Sequence, residues 1–207
     1  MTHGDNRGLK MPPRVAPVQV VVLPIAQHKE GVLDKAYDLK EKLSERFRVE
    51  IDPREEYSAG WKFNHWEMKG VPLRLEIGPK DIEKNQAVLV RRDTHEKLFV
   101  SLDELEEKIE ALLEDIQQQM FDAAVERRKE NTHAVTDYEE FKALMAEKNA
   151  FVKAMWCGES ACEEKIKEDT TATIRCVPFD HEQEELSDTC LCCGKKAKEM
   201  VYITKAY

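Results

Sequence analysis

Long apolar runs are missing from this sequence. No stretch approaches the roughly 20 consecutive apolar residues that a membrane-spanning helix needs. The opening residues Met1-Thr-His-Gly-Asp-Asn-Arg7 contain no apolar core of the kind a secretory leader carries. A soluble, cytoplasmic chain with no membrane partner is expected. Glycine is scarce as well, with 8 in 207 residues. After the first β-branched run, Leu23-Pro-Ile-Ala-Gln-His-Lys-Glu-Gly31 lacks the closely spaced glycines that let a backbone wrap a pyrophosphate. A dinucleotide or P-loop site is thereby excluded. The six histidines (His3, His28, His65, His95, His133, His181) are scattered, with no metalloprotease spacing. No G-x-S-x-G elbow is present either. No catalytic constellation can be assembled from these residues.

What is present begins with the cysteines. Five of the six fall in two knots, Cys157-Gly-Glu-Ser-Ala-Cys162 and Cys190-Leu-Cys-Cys-Gly194. A tetrahedral Zn²⁺ site takes four soft ligands, usually as two close pairs. The spacings C-x4-C and C-x2-C, with 27 residues between them, suit that arrangement. Cys157, Cys162, Cys190 and Cys193 are the candidate ligands, and Cys192 is an extra thiol beside them. Disulfides or buried free thiols are the competing interpretation, and redox use of Cys190–Cys193 would require an exposed, low-pKa thiolate. Four thiolates would leave no open coordination position, so a zinc ion here would be structural.

The net charge of −9 argues against a nucleic-acid binder, but the charge is unevenly spread. Residues 101–148 carry six basic and fourteen acidic side chains, whereas residues 52–97 carry nine of each. The first half of the chain is thus electrostatically available to a polyanion, with the acidic segment expected to face away.

Along the chain, residues 1–15 read as an extended linker with Pro12 and Pro13. Val18–Ile25 is a β-branched run suited to a buried central strand. Val32, Leu33, Ala36, Leu39 and Leu43 recur at helical spacing, and Phe47–Ile51 alternates as a second strand. This is a strand–helix–strand unit with a parallel pair. Ser58–Gly70 reads as a short helix, followed by strands at 71–77, 86–91 and 97–101 with a turn at Gly78–Asp81. Ser101-Leu-Asp-Glu104 then resembles a capping box that opens an amphipathic helix over 102–130. The fold class is α/β: a five-stranded mixed sheet with three helices over residues 16–132, followed by a small α+β domain over 133–207. A second capping box is read at Thr136-Asp-Tyr-Glu139, with short strands around the cysteine knots. A unit of about 70 residues commonly needs a staple, and metal can supply it.

Charged and aromatic groups interleave between residues 52 and 80: Asp52, Arg54, Lys62, Phe63, Trp66, Glu67, Arg74, Glu76 and Lys80. Unstacked RNA bases are held on aromatic or guanidinium planes and read at their edges by donors and carboxylates. The same residues could equally be core aromatics with a solvated charged face.

The segments Thr2–Leu9, Pro12–Val20, Asp52-Pro-Arg54, Gly60-Trp-Lys-Phe63, Trp66-Glu67, Gly70–Arg74, Glu76–Asp81 and Thr173–Pro178, with the cysteine pairs and Lys205-Ala-Tyr207, resemble prolyl-tRNA synthetase of the archaeal/eukaryote-like type. The resemblance spans essentially the whole chain. It implies a class II ligase that activates proline with ATP and charges proline tRNA. The matching part is the anticodon-binding domain with the fold of that class, plus the C-terminal zinc-binding domain. The catalytic domain would precede Met1 in the natural protein, so ATP is used elsewhere and this chain alone should be inactive. The resemblance further implies that Asp52, Arg54, Lys62, Phe63, Glu67, Arg74, Glu76 and Lys80 contact the anticodon stem-loop, with Glu67 and Glu76 best suited to guanine edges. It makes Cys157, Cys162, Cys190 and Cys193 the zinc ligands. It also gives Tyr207 the role of a terminal tyrosine whose carboxylate returns toward the active site. Proline tRNA and the catalytic domain are the implied partners; DNA is not. A stand-alone zinc-containing interaction module, binding a protein through the acidic helix 102–130, is the alternative.

Overall fold

The computed structural model describes residues 3–206, so Tyr207 lies outside the described residues. The chain divides into two compact units at Asp122/Ala123.

In the first unit, β1 (Gly4–Asp5) and β2 (Gly8–Leu9) form a small hairpin. Then come β3 (Val20–Pro24), α1 (Val32–Ser44), β4 (Val49–Ile51), α2 (Ala59–Met68), β5 (Leu73–Ile77), α3 (Pro79–Glu83), β6 (Gln86–Arg91), β7 (Lys97–Ser101) and the start of α4 (Leu105–Glu130). The sheet order is β4-β3-β5-β6-β7, with β3 parallel to β4 and β5 and the rest antiparallel. All five residues of β3 are buried, as expected of a strand covered on both faces.

Alternation assigns the two faces. Val20 and Val22, with Leu73, Leu75, Ile77 and Leu89, pack under α1 (Ala36, Leu39, Leu43) and α4 (Leu105, Ile109, Leu112, Leu113, Ile116). Val21 and Leu23 turn the other way, against Val71, Phe63 and Trp66. On the outer side, Glu106 of α4 meets Lys42 and Glu110 meets Arg46, so part of the acidic excess is spent within this unit.

The segment Gly78–Asp81 differs from the turn expected there. Pro at the first helical position pre-sets φ, and Asp81 accepts from the Gly78 N–H, so the chain winds into the short α3 instead. The described residues of this unit therefore contain four helices where three were expected, counting α4. The N-terminal residues are also more structured than a linker. Asp5 accepts both guanidinium nitrogens of the buried Arg92, at 2.8 and 2.9 Å. Met11 N–H donates to the Gly70 carbonyl at 3.0 Å.

The second unit contains β8 (Thr132–Ala134), α5 (Tyr138–Glu147), β9 (Phe151–Trp156), α6 (Ser160–Thr170), β10 (Ala172–Cys176) and β11 (Glu199–Lys205), in a four-stranded sheet ordered β10-β11-β9-β8. Phe141 and Met145 of α5 and Ile166 of α6 bury one face of that sheet, together with Val152, Ala154, Val201 and Ile203. Asp137, not Thr136, caps α5, accepting from Glu140 N–H at 2.8 Å. Helix α6 is absent from the sequence-based expectation. Its Lys/Glu-rich stretch has few apolar residues to mark a period, and only Cys162, Ile166 and Thr170 are buried in it, four residues apart.

The hairpin's seat on α2 depends on two glycines. A Cβ on Gly8 (φ +124°) would lie 2.6 Å from the Met68 Cα, and one on Gly70 (φ +75°) 2.7 Å from the Leu9 carbonyl carbon. Gly70→Ala is expected to lower stability by more than about 1 kcal/mol, through positive φ and backbone clash together. Thermal unfolding monitored by circular dichroism checks this against Gly31→Ala, where nothing lies within 4 Å of the added Cβ and only the conformational cost at φ +75° remains.

Candidate nucleic-acid interface and metal centre

The charged and aromatic residues of 52–80 fall into two groups in the first unit. The first sits at the carboxyl ends of the parallel strands β3 and β4, where open α/β sheets offer a crevice. Asp52, just past β4, is 2% exposed. It takes a bidentate pair from Arg54, with Nε–Oδ1 2.7 Å and Nη2–Oδ2 2.6 Å, and the Trp66 indole N–H at 2.8 Å. Burial works against its charge, but the hydrogen bonds from Arg54 and Trp66 outweigh that cost. They hold the carboxyl at about 2. The ammonium of the buried Lys62 donates to the Asp52 carbonyl at 3.1 Å. Arg54 in turn lies beside the rings of Tyr57 (4.9 Å) and Trp61 (5.1 Å). Those rings stack at 3.8 Å, and Trp61 stacks on His65 at 4.9 Å. Burial, then the nearby cations Lys69 and Arg54, lower the His65 pKa. A concavity of about 330 Å³ lies here, bordered by Gln27, His28, Arg54, Tyr57 and Lys62.

The second group lies on the sheet face beside α2. Arg74 and Glu76 alternate with Leu73, Leu75 and Ile77, so they project away from the main core. Arg74 bonds Glu76 at 2.9 Å, and its guanidinium lies 4.2 Å from the centre of the Phe63 ring. Glu67 and Arg74 share a small cleft with Trp66, Arg92 and His95. The Glu67 carboxylate contacts Arg7 Nη1 and His95 Nδ1, both at 3.2 Å. Lys80 is exposed at the start of α3, beyond the end of β5.

The structure thus brings Asp52, Arg54 and Lys62 together, and separately Phe63, Glu67, Arg74 and Glu76, with Lys80 apart from both. Among the candidate contacts, sequence reasoning left out Gln27, Tyr57, Trp61, His65, Arg92 and His95. The four-residue spacing of Trp61 and His65 was the available signal for the stack. The ion-pair roles of Arg92 and His95 had none, because they depend on which turn faces α2.

In the second unit the sulfurs of Cys157, Cys162, Cys190 and Cys193 all lie within 4.8 Å of one another. Cys157–Cys162 is 3.6 Å and Cys157–Cys193 3.8 Å. Four sulfurs about 2.3 Å from one ion at tetrahedral angles stand about 3.8 Å apart, and a disulfide requires about 2 Å. The spacing fits metal ligation, and all six cysteines are free. Two turns build the cluster. Gly158 follows Cys157 at φ +84°, and Gly194 follows Cys193 at φ +70°. Cys190 N–H donates to the Lys195 carbonyl and Gly194 N–H to the Cys190 carbonyl, closing the second turn. Cys162 enters from the first turn of α6. Burial raises the Cys157 and Cys162 thiols, whereas the Lys195 backbone N–H lowers Cys193 to about 7. Cys192 stands outside the four-sulfur group and packs against both the cluster and the unit's apolar core.

The chain thus joins in sequence an α/β unit with paired charge and aromatic groups at its strand ends and a unit holding four clustered cysteines. Residues 19–112 match the family described as anticodon binding domain, and residues 138–207 match prolyl-tRNA synthetase, C-terminal. The chain is 61% identical over 207 residues to proline--tRNA ligase 2 of Bacillus cereus (strain ZK / E33L). It is 60% identical over 207 residues to proline--tRNA ligase of Alkaliphilus oremlandii (strain OhILAs), and 58% to that of Clostridium botulinum (strain Kyoto / Type A2). All of this chain aligns in each case, but it spans 43% of each relative's length.

The depressed Asp52 pKa carries a signed consequence. The group's contribution to stability is complete above its unfolded value, about 4, and is lost as pH falls through about 2. An acid titration followed by tryptophan fluorescence should show this loss between those limits. Asp52→Asn should flatten the profile there and cost about 2 kcal/mol at pH 7, the scale of hydrogen bonds to a charged group.

Proposed function

We propose that this chain is the tRNA-recognising and zinc-stabilised part of a proline–tRNA ligase of the archaeal/eukaryote-like type, acting in the cytoplasm. The observation that carries the proposal is the match along all 207 residues to proline--tRNA ligases, through these two families. The relatives named above are bacterial, and the archaeal/eukaryote-like type rests on the resemblance of the motifs alone. Residues 16–132 form the anticodon-binding domain and 133–207 the zinc-binding domain, with 1–15 leading in. Proline activation and ATP use belong to parts of the ligase outside the two matched families, and the chain alone makes no prolyl-adenylate.

In this proposal Glu67 and Glu76 accept from the guanine N1–H and N2 edge. Arg74, Lys80, Arg54 and Lys62 serve O6 or phosphate, and Phe63 and Asp52 set the geometry around them. The Arg74 guanidinium over Phe63 supports this, because it presents a planar donor beside a stacking ring. Zinc is held by Cys157, Cys162, Cys190 and Cys193, and the sulfur spacing supports that ligand set.

Two outcomes are expected. Proline tRNA should bind this chain in a salt-dependent manner and lose affinity when its anticodon guanines are changed. Arg74→Ala should weaken binding about tenfold, within the range of one direct base contact. Equal affinity for unrelated tRNAs would sink the anticodon assignment. For the metal, elemental analysis of the purified chain should find one zinc per molecule, lost in Cys162→Ser and kept in Cys192→Ser.

A further inference from the structure

The four-stranded sheet of the second unit is covered on one face only by α5 and α6. The other face follows from the register. Ala134 pairs with Lys153, Lys153 with Tyr202, and Tyr202 with Cys176, so these four side chains form one row across all four strands. Thr132 and Phe151 pair two residues further along and share that face. The row forms the floor of a concavity of about 640 Å³, within the range of ligand sites. Its rim carries Arg128 and Lys129 from the last turn of α4, Arg175 at the end of β10, and Glu182 and Glu184 from the segment before the second cysteine pair.

Four features of this face act together. Phe151 is 44% exposed, an apolar ring open to solvent on a sheet floor. Tyr202 is half-buried beside it, with the Lys153 ammonium 5.9 Å from its ring. Lys153 is neutralised by Glu184. Arg128 and Arg175 belong to no ion pair among the described residues, and Lys129 meets Glu126 at 3.6 Å with both side chains largely exposed, a weak pairing. In a chain of net charge −9, this is a local excess of cations around two aromatic rings. A four-stranded sheet with exposed aromatics and cations at its edge is the arrangement that stacks unpaired bases and tracks a phosphate backbone. Aromatic rings with arginines also suit a protein partner, so it is the cation excess of the concavity, four basic against two acidic side chains, that favours a polyanion.

We infer that the open face of the C-terminal sheet is a second, sequence-tolerant binding surface for single-stranded RNA. Phe151 and Tyr202 stack bases, and Arg128, Lys129 and Arg175 take phosphates. The surface is independent of the anticodon assignment, because it uses none of the residues 52–80 and needs no guanine.

The test is fluorescence anisotropy of a labelled 12-mer oligouridylate with the full chain. Binding is expected at low salt, with a log–log salt slope of about −2 for three phosphate contacts at roughly 0.7 each. Phe151→Ala and Tyr202→Ala should each weaken it about tenfold, and the double variant Arg128→Glu with Arg175→Glu should abolish it. All of these side chains are exposed or half-buried, and an unchanged circular dichroism melt would establish that the variants fold. Arg74→Ala should leave oligouridylate binding intact, which separates failure here from failure of the anticodon proposal. No binding at low salt, or binding untouched by these variants, overturns the inference. So does equal competition by inorganic polyphosphate, which would mean charge without stacking. Protection of Phe151 and Tyr202 by a protein chain in place of RNA would likewise overturn it.

Discussion

A single buried carboxylate organises the carboxyl end of the first unit's sheet. Asp52 directly follows β4, and its two oxygens are filled by Arg54 and by the indole of Trp66, and its carbonyl by Lys62. Two turns of α2 are thereby tied to the end of a strand to which they are joined only by a loop. An unpaired buried carboxylate would cost several kcal/mol; with these donors the group stays charged and fixes them in place. The same bonds aim Arg54 at the Tyr57–Trp61 stack, so the loop after β4 becomes a shaped surface.

The second unit meets an analogous requirement with sulfur. It is small, its core rests on two short helices and four strands, and its last third contains long stretches without regular structure. Four thiols gathered from a turn, a helix start and a second turn are placed so that a metal ion held among them would bind those stretches together. Cys192 illustrates how geometry selects among neighbours. The second turn sends Cys190 and Cys193 to one side and leaves Cys192, with Leu191, against the apolar core.

Much of the first unit could be read in advance because its signals are local and periodic. The β-branched run of Val20–Leu23 and the Ala36, Leu39, Leu43 stripe predict a strand and a helix, and both form. Signals that compete locally were harder to read. Gly78-Pro79 suggests a turn until Asp81 reaches back to cap it. Helix α6 has too few apolar residues to announce its period. The residues before β3 look like a linker because their order comes from Arg92 and Gly70, which are distant in sequence.

By itself, the sequence determined the alternation of strands and helices, the candidate cysteine ligands and the concentration of charge and aromatic groups between 52 and 80. These follow from composition, spacing and short-range stereochemistry. The tertiary structure alone decided how those groups divide: Asp52, Arg54 and Lys62 near the strand ends, Arg74 and Glu76 on the sheet face with Glu67 of α2 beside them. It also decided which of three neighbouring cysteines stand aside, and which face of the C-terminal sheet is left open. The physical reason is that a side chain's partners are set by strand register and helix rotation. A displacement of one residue reverses the face a strand residue occupies, and that register is fixed by packing across the whole unit.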